Sequence, residues 1–331
     1  WRTEGPVATS YRMTVANSET VFEANEDETI LDAFLRNGIA VRYGCRRGKC
    51  STCKHYIVEG DYDNSGASAY ALLDTEREEG LTLLCQTFAL SDCTVELVED
   101  AAGEVRIRPA TPRSAAATVV GAERLGGALW SVRMELSTGL HPLPGQYVEV
   151  AVPGGAGGTR TYSVASAPFD VRALEIIVRA YDGGAFSGQL DDLAPGVELA
   201  VNGPYGQMFL RPAGRPAVLV GDEVGIAPML SMVRYSGECG WPPGMRVLHV
   251  VPTEDERVGR AECSRWASGD PGFSYDTFDK VTAAVAQGIT GDDVDVYVAG
   301  APEFCDQAAF LLEARGVDAN QMYVERFFPA Q

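Results

Sequence analysis

The chain has 331 residues, with 27 Lys and Arg against 46 Asp and Glu, so its formal net charge is −19. A composition that is 46% hydrophobic and 22% charged excludes wholesale disorder, and at about 100–200 residues per domain the length predicts two or three domains. The acidic excess argues against a nucleic-acid partner. No apolar run approaches the ~18 residues that cross a bilayer and no signal-peptide pattern is present, so we expect a soluble, cytoplasmic protein.

The first 103 residues predict short strands around one helix. Met13–Val15 and Glu19–Phe22 alternate like the two strands of a hairpin, and Thr29–Arg36 has helical spacing that ends at Gly38. A loop that contains three cysteines follows the helix. Residues 101–117, which are rich in alanine and proline, predict a linker.

The remaining two thirds of the chain divide into two segments with different predicted secondary structure. Residues 104–212 predict strands between Gly- and Pro-rich turns, which is typical of an antiparallel barrel. Residues 213–331 alternate apolar strands with helices, one expected to begin at Pro228 and another to run from Pro302 to about Arg315. That alternation predicts a doubly wound parallel sheet, with ligands at the carboxyl ends of its strands.

Four of the eight cysteines have the spacing of an iron–sulfur site. Cys45, Cys50 and Cys53 form a C-x4-C-x2-C loop, and Cys85 follows at a distant strand end. A plant-type 2Fe–2S cluster is held by thiolates in this arrangement. A zinc site and chance cysteines are the alternatives, although zinc prefers two paired-cysteine knuckles and only one is present.

The segments Tyr43–Cys53 and Leu83–Gln86 resemble the ferredoxin domain of bacterial oxygenase reductases. The resemblance covers essentially the whole chain and implies a multidomain α+β and α/β fold. It places a β-grasp 2Fe–2S ferredoxin domain at 1–103, a linker and an antiparallel FAD-binding β-barrel at 104–212, and a doubly wound NAD-binding domain at 213–331.

Two segments of the barrel resemble FAD-binding motifs of that family. Arg160-Thr161-Tyr162-Ser163 matches R-x-Y-S, which implies an arginine at the FAD pyrophosphate and a catalytic Ser163 near flavin N5; an ordinary strand arginine is the alternative. In the second segment a strand end precedes glycines expected to open a helix, whose N–H groups would face a phosphate. The implied contacts there are Ile177, Val178, Arg179, Gly183, Gly184, Phe186 and Ser187.

The nicotinamide segment departs from the family at two places. The family's G-G-T-G-x-A-P is Gly221-Asp222-Glu223-Val224-Gly225-Ile226-Ala227-Pro228 here, and its Cys-Gly-Pro is Ala299-Gly300-Ala301-Pro302. Two carboxylates would repel a pyrophosphate unless their side chains turn away. Loss of the cysteine predicts looser placement of the nicotinamide. The resemblance still implies coenzyme contacts by Gly225, Pro228, Ala299 and Gly300.

Acidic residues favour NADH over NADPH. Glu254–Glu256 follow the second strand of this segment, where carboxylates accept from a ribose 2′-hydroxyl and repel a 2′-phosphate, and Arg257 alone argues the other way. The ending Tyr323-Val324-Glu325-Arg326-Phe327 resembles the family's Y-x-E-K-F. It implies a catalytic Glu325 at the nicotinamide–flavin junction, with Phe327 either over the flavin or in the core.

The three cofactors together imply the reductase component of an oxygenase. NADH gives two electrons as hydride, an iron–sulfur cluster accepts one at a time, and FAD exchanges either number. The expected partner is a separate oxygenase, which we take to be a di-iron monooxygenase hydroxylase. A Rieske-type dioxygenase is an alternative partner. A flavin and iron–sulfur carrier or regulatory module with weakened nicotinamide binding is an alternative function.

The cysteine loop is basic within an acidic domain. Arg42, Arg46, Arg47, Lys49 and Lys54 lie in a stretch without any acidic residue. One hypothesis is that they steer the cluster edge towards an acidic patch on the oxygenase or on the flavin domain. The alternative is an ordinary solvated loop.

Overall fold

A computed structural model describes residues 9–328 except 17, 38, 40, 42–47, 49–52, 70, 99–109, 111, 155–157, 212–213, 241, 287–288 and 290–292. The chain divides into two compact units, Trp1–Arg108 and Pro109–Gln331. Within the described ranges, none of the helices combines the length and the apolarity that a membrane crossing requires.

The first unit is a mixed sheet with one helix packed against it. The described strands are β1 (Ser10–Val15), β2 (Val21–Asn25), β3 (Lys54–Glu59), β4 (Tyr62–Asp63), β5 (Leu81–Leu83), β6 (Phe88–Ala89) and β7 (Cys93–Glu96), with helices α1 (Ile30–Arg36) and α2 (Asp74–Glu78). The main sheet has the order β2-β1-β7-β3-β5, while β4 pairs with β6. The predicted hairpin of β1 and β2 is confirmed, and β1 pairs in parallel with β7.

The helix α1 forms because its start is capped and one face is apolar. The Thr29 hydroxyl accepts a hydrogen bond from the Asp32 backbone N–H at 3.2 Å. This pairs one of the N–H groups that have no partner within the first helical turn. Ile30 and Phe34 are fully buried, and the Phe34 ring lies edge-on to Phe22 of β2 with 4.7 Å between centroids. This apolar layer forms the core of the first unit.

The second unit begins with a six-stranded antiparallel sheet that curls into a barrel. Its strands have the order β11-β10-β13-β8-β9-β12. A single antiparallel bridge between Val164 and Ile176 joins the two edges. Alternate side chains such as Val132, Val148 and Val201 fill the interior. The strands are β8 (Arg113–Gly126), β9 (Leu129–Leu136), β10 (Tyr147–Ala151), β11 (Thr159–Ser163), β12 (Ala173–Arg179) and β13 (Glu198–Tyr205).

A five-stranded parallel sheet with helices on both faces completes the unit. Its strands are β14 (Ala217–Gly221), β15 (Met245–Val250), β16 (Phe273–Phe278), β17 (Asp295–Gly300) and β18 (Met322–Arg326). Its helices are α3 (Ile226–Cys239), α4 (Arg260–Gly269), α5 (Val281–Ala286) and α6 (Pro302–Glu313). The order β16-β15-β14-β17-β18 confirms the doubly wound fold and places the switch point between β14 and β17.

The two faces of the parallel sheet have different cores. Successive strand residues point to opposite faces, so Val218 and Val220 pack with α5 and α6, while Leu219 packs with α3 and α4. The core on the α3 side also contains Leu129 and Ile177 of the barrel. The core on the α3 side is therefore shared by the parallel sheet and the barrel, in addition to the barrel's own interior.

Two predicted helix starts differ from the structure. Helix α3 begins at Ile226, two residues before the predicted Pro228, because proline is tolerated anywhere in a first turn whose N–H groups have no helical partner. The glycines at 183 and 184 precede a short 3-10 helix, Ser187–Asp192, which begins only at the last residue of the predicted segment.

Candidate active site

Strand pairing brings two of the four predicted cluster ligands together. Lys54 of β3 pairs with Leu83 of β5, so Cys53 and Cys85 lie at the same end of this strand pair. The Leu84 N–H donates to the Cys53 carbonyl at 3.0 Å, and both cysteines are buried. Cys45 and Cys50, the other two predicted ligands, lie outside the described residues.

A glycine in the cysteine loop lies against the segment that contains Cys85. Gly48 has φ +68°, a conformation that favours glycine, and a Cβ there would come within 2.6 Å of Gln86 Cγ. The Gln86 side-chain amide donates to the Cys85 carbonyl at 2.6 Å. Two buried thiols, with Gly48 packed closely against Gln86, fit the donor chemistry of an iron–sulfur cluster.

Lys54 does not belong to the proposed steering surface. Its ammonium lies 2.8 and 2.9 Å from the two carboxylate oxygens of Glu76, and both side chains are largely buried. The Glu76 carboxylate also accepts from the Leu73 N–H at 2.9 Å at the start of α2. The other four basic residues of that hypothesis lie outside the described residues.

The predicted R-x-Y-S motif forms β11 at the edge of the barrel. Arg160 and Tyr162 share one face of the strand, while Thr161 and Ser163 share the other. Arg160 is half-buried and its guanidinium donates to the Thr159 carbonyl at 2.8 Å. Burial raises the pKa of Tyr162, whose ring packs against Phe186 with 5.1 Å between centroids. This contact joins the two predicted flavin segments.

Ser163 has a buried hydroxyl that the described protein leaves without a hydrogen-bond partner. Its side chain is 7% exposed, and Oγ has no donor or acceptor within reach among the described residues. An orphaned buried hydroxyl is uncommon because losing water costs about 1–3 kcal/mol. The site therefore fits a ligand atom that hydrogen-bonds to Ser163, as flavin N5 would.

The second predicted flavin segment follows the end of β12. Ile177 and Val178 are buried in the core, and Arg179 is the last residue of the strand. The turn that follows is held by the Gly184 N–H, which donates to the Tyr181 carbonyl at 3.0 Å. The Ser187 hydroxyl accepts from the Tyr181 N–H at 3.1 Å. Space around Gly183 is open, so its backbone is accessible to a phosphate.

Both acidic residues of the dinucleotide loop have partners within the protein. The Asp222 carboxylate accepts from the N–H groups of Gly225 at 2.9 Å and Ala301 at 2.6 Å. Burial raises the pKa of Asp222, against the effect of these two hydrogen bonds. Glu223 forms an ion pair with Arg179, which also lies 3.4 Å from Glu256. The repulsion expected from two unpaired carboxylates is thus reduced.

The predicted nicotinamide contacts meet at the carboxyl ends of β14 and β17. Ala299 is fully buried, and a Cβ at Gly225 would overlap its carbonyl oxygen. Pro228 lies in the first turn of α3. The Phe327 N–H donates to the Gly300 carbonyl at 2.8 Å, and the partly buried Phe327 ring packs against the core that the barrel and sheet share.

Glu325 lies where the barrel meets the parallel sheet. A Cβ placed on Gly206, just after β13, would be 3.5 Å from Glu325 Oε2 and 3.0 Å from the Tyr147 ring. Burial raises the pKa of Glu325, and burial followed by the Glu325 charge raises that of Tyr147. Tyr147 in turn pairs in register with Ser163. Tyr147 is therefore a neighbour of both predicted catalytic residues, of Glu325 through its charge and of Ser163 as its cross-strand partner.

The expected ribose-binding acids lie in a short 3-10 turn after β15. Glu254 forms ion pairs with both Arg257 and Arg260. Arg257 also lies 3.8 Å from Asp279. Sequence reasoning weighed Arg257 but missed Arg260, which lies at the start of α4 and reaches back to the same carboxylate.

Sequence reasoning also missed Tyr147 and the partners of Asp222. Tyr147 ends a stretch, Leu143–Tyr147, that resembles the family's entry to a barrel strand, so that motif could have marked it. No local signal marks the bond between Asp222 and Ala301, because the two residues meet only when β14 and β17 pair.

Comparison with known proteins identifies the first two domains. A model of the 2Fe-2S iron-sulfur cluster binding domain matches residues 13–90, and a model of the oxidoreductase FAD-binding domain matches residues 116–210. The reductase component of propane 2-monooxygenase from Rhodococcus jostii is 31% identical to this chain, covering 97% of it and 92% of the relative. The electron transfer component of 2-halobenzoate 1,2-dioxygenase from Burkholderia cepacia is 31% identical, covering 92% and 94%.

A solved structure has a similar fold along nearly the whole chain. The Amycolatopsis cytochrome P450 reductase GcoB superposes with a TM-score of 0.62 at 28% sequence identity, covering 97% of this chain and 100% of that one. A ferredoxin-like domain, a flavin barrel and a parallel-sheet nicotinamide domain define an iron–sulfur flavoprotein oxidoreductase. The chain belongs to the family of reductase components of bacterial monooxygenases and dioxygenases. Its cofactors are a 2Fe–2S cluster and FAD, with NADH as the coenzyme of the parallel-sheet domain.

Proposed function

We propose that this protein takes hydride from NADH and delivers single electrons to a separate oxygenase, with domains at 1–103, 104–212 and 213–331. The observation that supports this most is the proximity of Glu325 in β18 to Tyr147 in the barrel, whose cross-strand partner is Ser163. A flavin and a nicotinamide must meet face to face for hydride transfer, and this is where the two domains bring polar side chains together. When bound, FAD accepts the hydride and the cluster takes up electrons one at a time.

The protein's own residues bind and orient the cofactors. Arg160 contacts the FAD pyrophosphate, the buried Ser163 hydroxyl hydrogen-bonds near flavin N5, and Phe186 holds the Tyr162 ring in place. The open backbone at Gly183 accepts the second phosphate contact. Glu325 provides a polar group at the nicotinamide, and Cys45, Cys50, Cys53 and Cys85 hold the cluster.

An anaerobic experiment tests the electron path. We expect NADH to bleach the flavin absorbance of the parent and then to produce the EPR signal of a reduced cluster. The variant Cys85→Ser should keep FAD and its bleaching by NADH while losing the cluster signal, because the ferredoxin-like unit has its own core. A full cluster signal in Cys85→Ser would show that the ligand set is wrong.

The second candidate function is an electron carrier that does not use NADH. Its basis in the sequence is the departure of Asp222, Glu223, Val224 and Ala299 from the family motifs. The hydrogen bonds of Asp222 and the ion pair of Glu223 with Arg179 favour the reductase instead, since each carboxylate already has partners within the protein. Failure of NADH to bleach the flavin in the parent, with dithionite still reducing it, would establish the carrier.

We propose a di-iron monooxygenase hydroxylase as the partner. At equal identity, the propane 2-monooxygenase reductase component aligns with 97% of this chain and the dioxygenase component with 92%. Purified hydroxylase, Rieske oxygenase and P450 components should be supplied separately with NADH and each one's substrate. Coupled product formation with the di-iron hydroxylase alone is the expected result, and turnover only with another oxygenase would replace this partner.

A further inference from the structure

The switch point of the parallel sheet contains a carboxylate that joins two loops. Strands β14 and β17 are neighbours, and each is followed directly by a helix, α3 or α6. Ligands of such sheets bind in the crevice at these carboxyl ends. Asp222 is the first residue after β14 and lies at the edge of that crevice.

Asp222 accepts hydrogen bonds from the first N–H groups of both helices. Its Oδ1 accepts from Gly225, the N-cap of α3, at 2.9 Å, and its Oδ2 accepts from Ala301, the N-cap of α6, at 2.6 Å. Helix N-termini favour an anion, and here the protein supplies that anion itself. The Asp222 N–H completes the connection by donating to the Ala299 carbonyl at 3.3 Å.

The backbone of the neighbouring loop packs closely against this carboxylate. Gly300 has φ +149°, and a Cβ there would overlap the Asp222 carboxylate. A Cβ at Gly225 would overlap the Ala299 carbonyl from the other side. The two loops therefore interlock through close glycine contacts, with Asp222 as the polar link between them.

We propose that Asp222 is a positioning residue that holds the backbone of residues 299–301 in place against the dinucleotide loop. The proposal rests on the proposed function, because Ala299 and Gly300 are among the expected coenzyme contacts. Since the carboxylate already occupies the N–H groups of Gly225 and Ala301, these two donors do not bind the coenzyme's phosphates. Removing the carboxylate should therefore impair orientation of the nicotinamide more than affinity for the dinucleotide.

Two variants and a charge-matched control test this role. Asp222→Asn keeps the shape but turns one acceptor into a donor that faces a backbone N–H. Asp222→Gly removes the side chain altogether. Using both variants leaves one for measurement if the other does not fold. Asp276→Asn makes the same charge change at a partly exposed surface ion pair with Arg246. FAD content and circular dichroism establish that each variant is folded.

Three measurements separate positioning from binding. In both Asp222 variants we expect the rate constant of flavin reduction at saturating NADH to fall on the order of tenfold, with the NAD⁺ dissociation constant within about threefold of the parent. Amide hydrogen exchange of residues 299–302 in the holoprotein should accelerate on the order of tenfold, and Asp276→Asn should match the parent throughout.

Unchanged exchange and unchanged flavin reduction would overturn the proposal. Tighter NAD⁺ binding at an unchanged rate would also overturn it, because the carboxylate would then compete with the coenzyme's phosphates. A parent that NADH does not reduce contradicts the proposed function instead, and the exchange measurement still reports whether Asp222 holds the two loops together.

Discussion

Single side chains at the flavin differ in how much of their hydrogen bonding the protein itself provides. The Ser187 hydroxyl accepts from a backbone N–H, and the Arg160 guanidinium donates to a backbone carbonyl. The Ser163 hydroxyl, although buried, has no partner among the described residues. A group that the fold buries and leaves unpaired is the one whose free energy changes most when a ligand supplies the partner.

We expect Ser163→Ala to keep its FAD but to be reduced more slowly by NADH. One lost hydrogen bond to the reacting ring corresponds to about 1.4 kcal/mol, or roughly a tenfold lower rate constant in rapid mixing. Ser137→Ala, which removes an exposed hydroxyl elsewhere in the barrel, is the matched control. A Ser163→Ala variant that is reduced at the parental rate would exclude a role for this hydroxyl at the flavin.

We also expect a single residue to determine the preference for NADH over NADPH. Glu254 lies between Arg257 and Arg260, and its charge is balanced by these two guanidinium groups. We expect Glu254→Gln to raise kcat/KM for NADPH on the order of tenfold, because the two arginines are then available to a 2′-phosphate. Kinetics with both coenzymes measure the ratio.

The second arginine provides the control for that prediction. Glu254→Gln combined with Arg260→Gln should lose most of the gain with NADPH, whereas Glu313→Gln on the exposed side of α6 should change neither coenzyme. If Glu254→Gln leaves the ratio of the two coenzymes as in the parent, the acidic turn does not determine the preference for NADH.

At the scale of strands and helices, the site depends on which strand ends are neighbours. Spacing predicted the cysteine ligands, because cluster chemistry restricts the separation of the thiolates, and resemblance to the reductase family predicted the R-x-Y-S segment. Spacing could not predict that Asp222 meets Ala301, which is 79 residues away. Sequence spacing also failed for Lys54. It is close in sequence to four other cations, but its buried ion-pair partner Glu76 lies on α2 and is distant in the sequence.

A buried histidine in β15 makes the parallel-sheet domain sensitive to acid. Burial, aided by the charge of Arg257, lowers the pKa of His249 to about 4, and its Nδ1 lies 2.9 Å from the Tyr275 hydroxyl. The unfolded chain, with a pKa near 6.5, binds a proton that the folded chain does not, so stability falls as the pH drops through this window. The stability that depends on neutral His249 is fully present above the pKa of the unfolded chain, about 6.5.

We expect the free energy of unfolding to fall by about 2 kcal/mol between about pH 7.5 and about pH 5 because of His249. Urea unfolding at the two pH values measures the loss in the parent. His249→Gln cannot titrate, so the difference in pH dependence between variant and parent isolates the contribution of the histidine. Equal pH dependence in both proteins would mean that His249 is protonated in the folded state as readily as in the unfolded one.

At the scale of the whole molecule, the barrel and the parallel sheet are joined by polar contacts as well as by their shared core. Arg234 of α3 donates to the Ala165 carbonyl at 2.8 Å and to Glu175 of β12 at 2.6 Å, and it holds Glu262 of α4 at 2.8 Å. Ser231, one turn earlier, donates to the Ser166 carbonyl at 2.8 Å. The domain order was predictable from motifs, but these contacts were not, since neither residue belongs to one.

Arg234 is the strongest test of this coupling. Its guanidinium is largely buried between two carboxylates, which raise its pKa against the effect of burial. Removal of Arg234 therefore leaves Glu175 and Glu262 facing each other without a cation.

We expect Arg234→Met, which keeps most of the side-chain volume, to lower the free energy of unfolding by about 2–3 kcal/mol. The loss is less than for a fully buried ion pair because water reaches all three side chains. The surface pair variant Arg246→Met should lose at most ~1 kcal/mol. Urea unfolding compares the two stabilities. Rapid mixing with NADH should show slower flavin reduction only in Arg234→Met, because Glu175 lies in β12, the strand that ends at the second flavin segment. Equal stability losses in the two variants would mean that the shared apolar core alone holds the barrel against the parallel sheet.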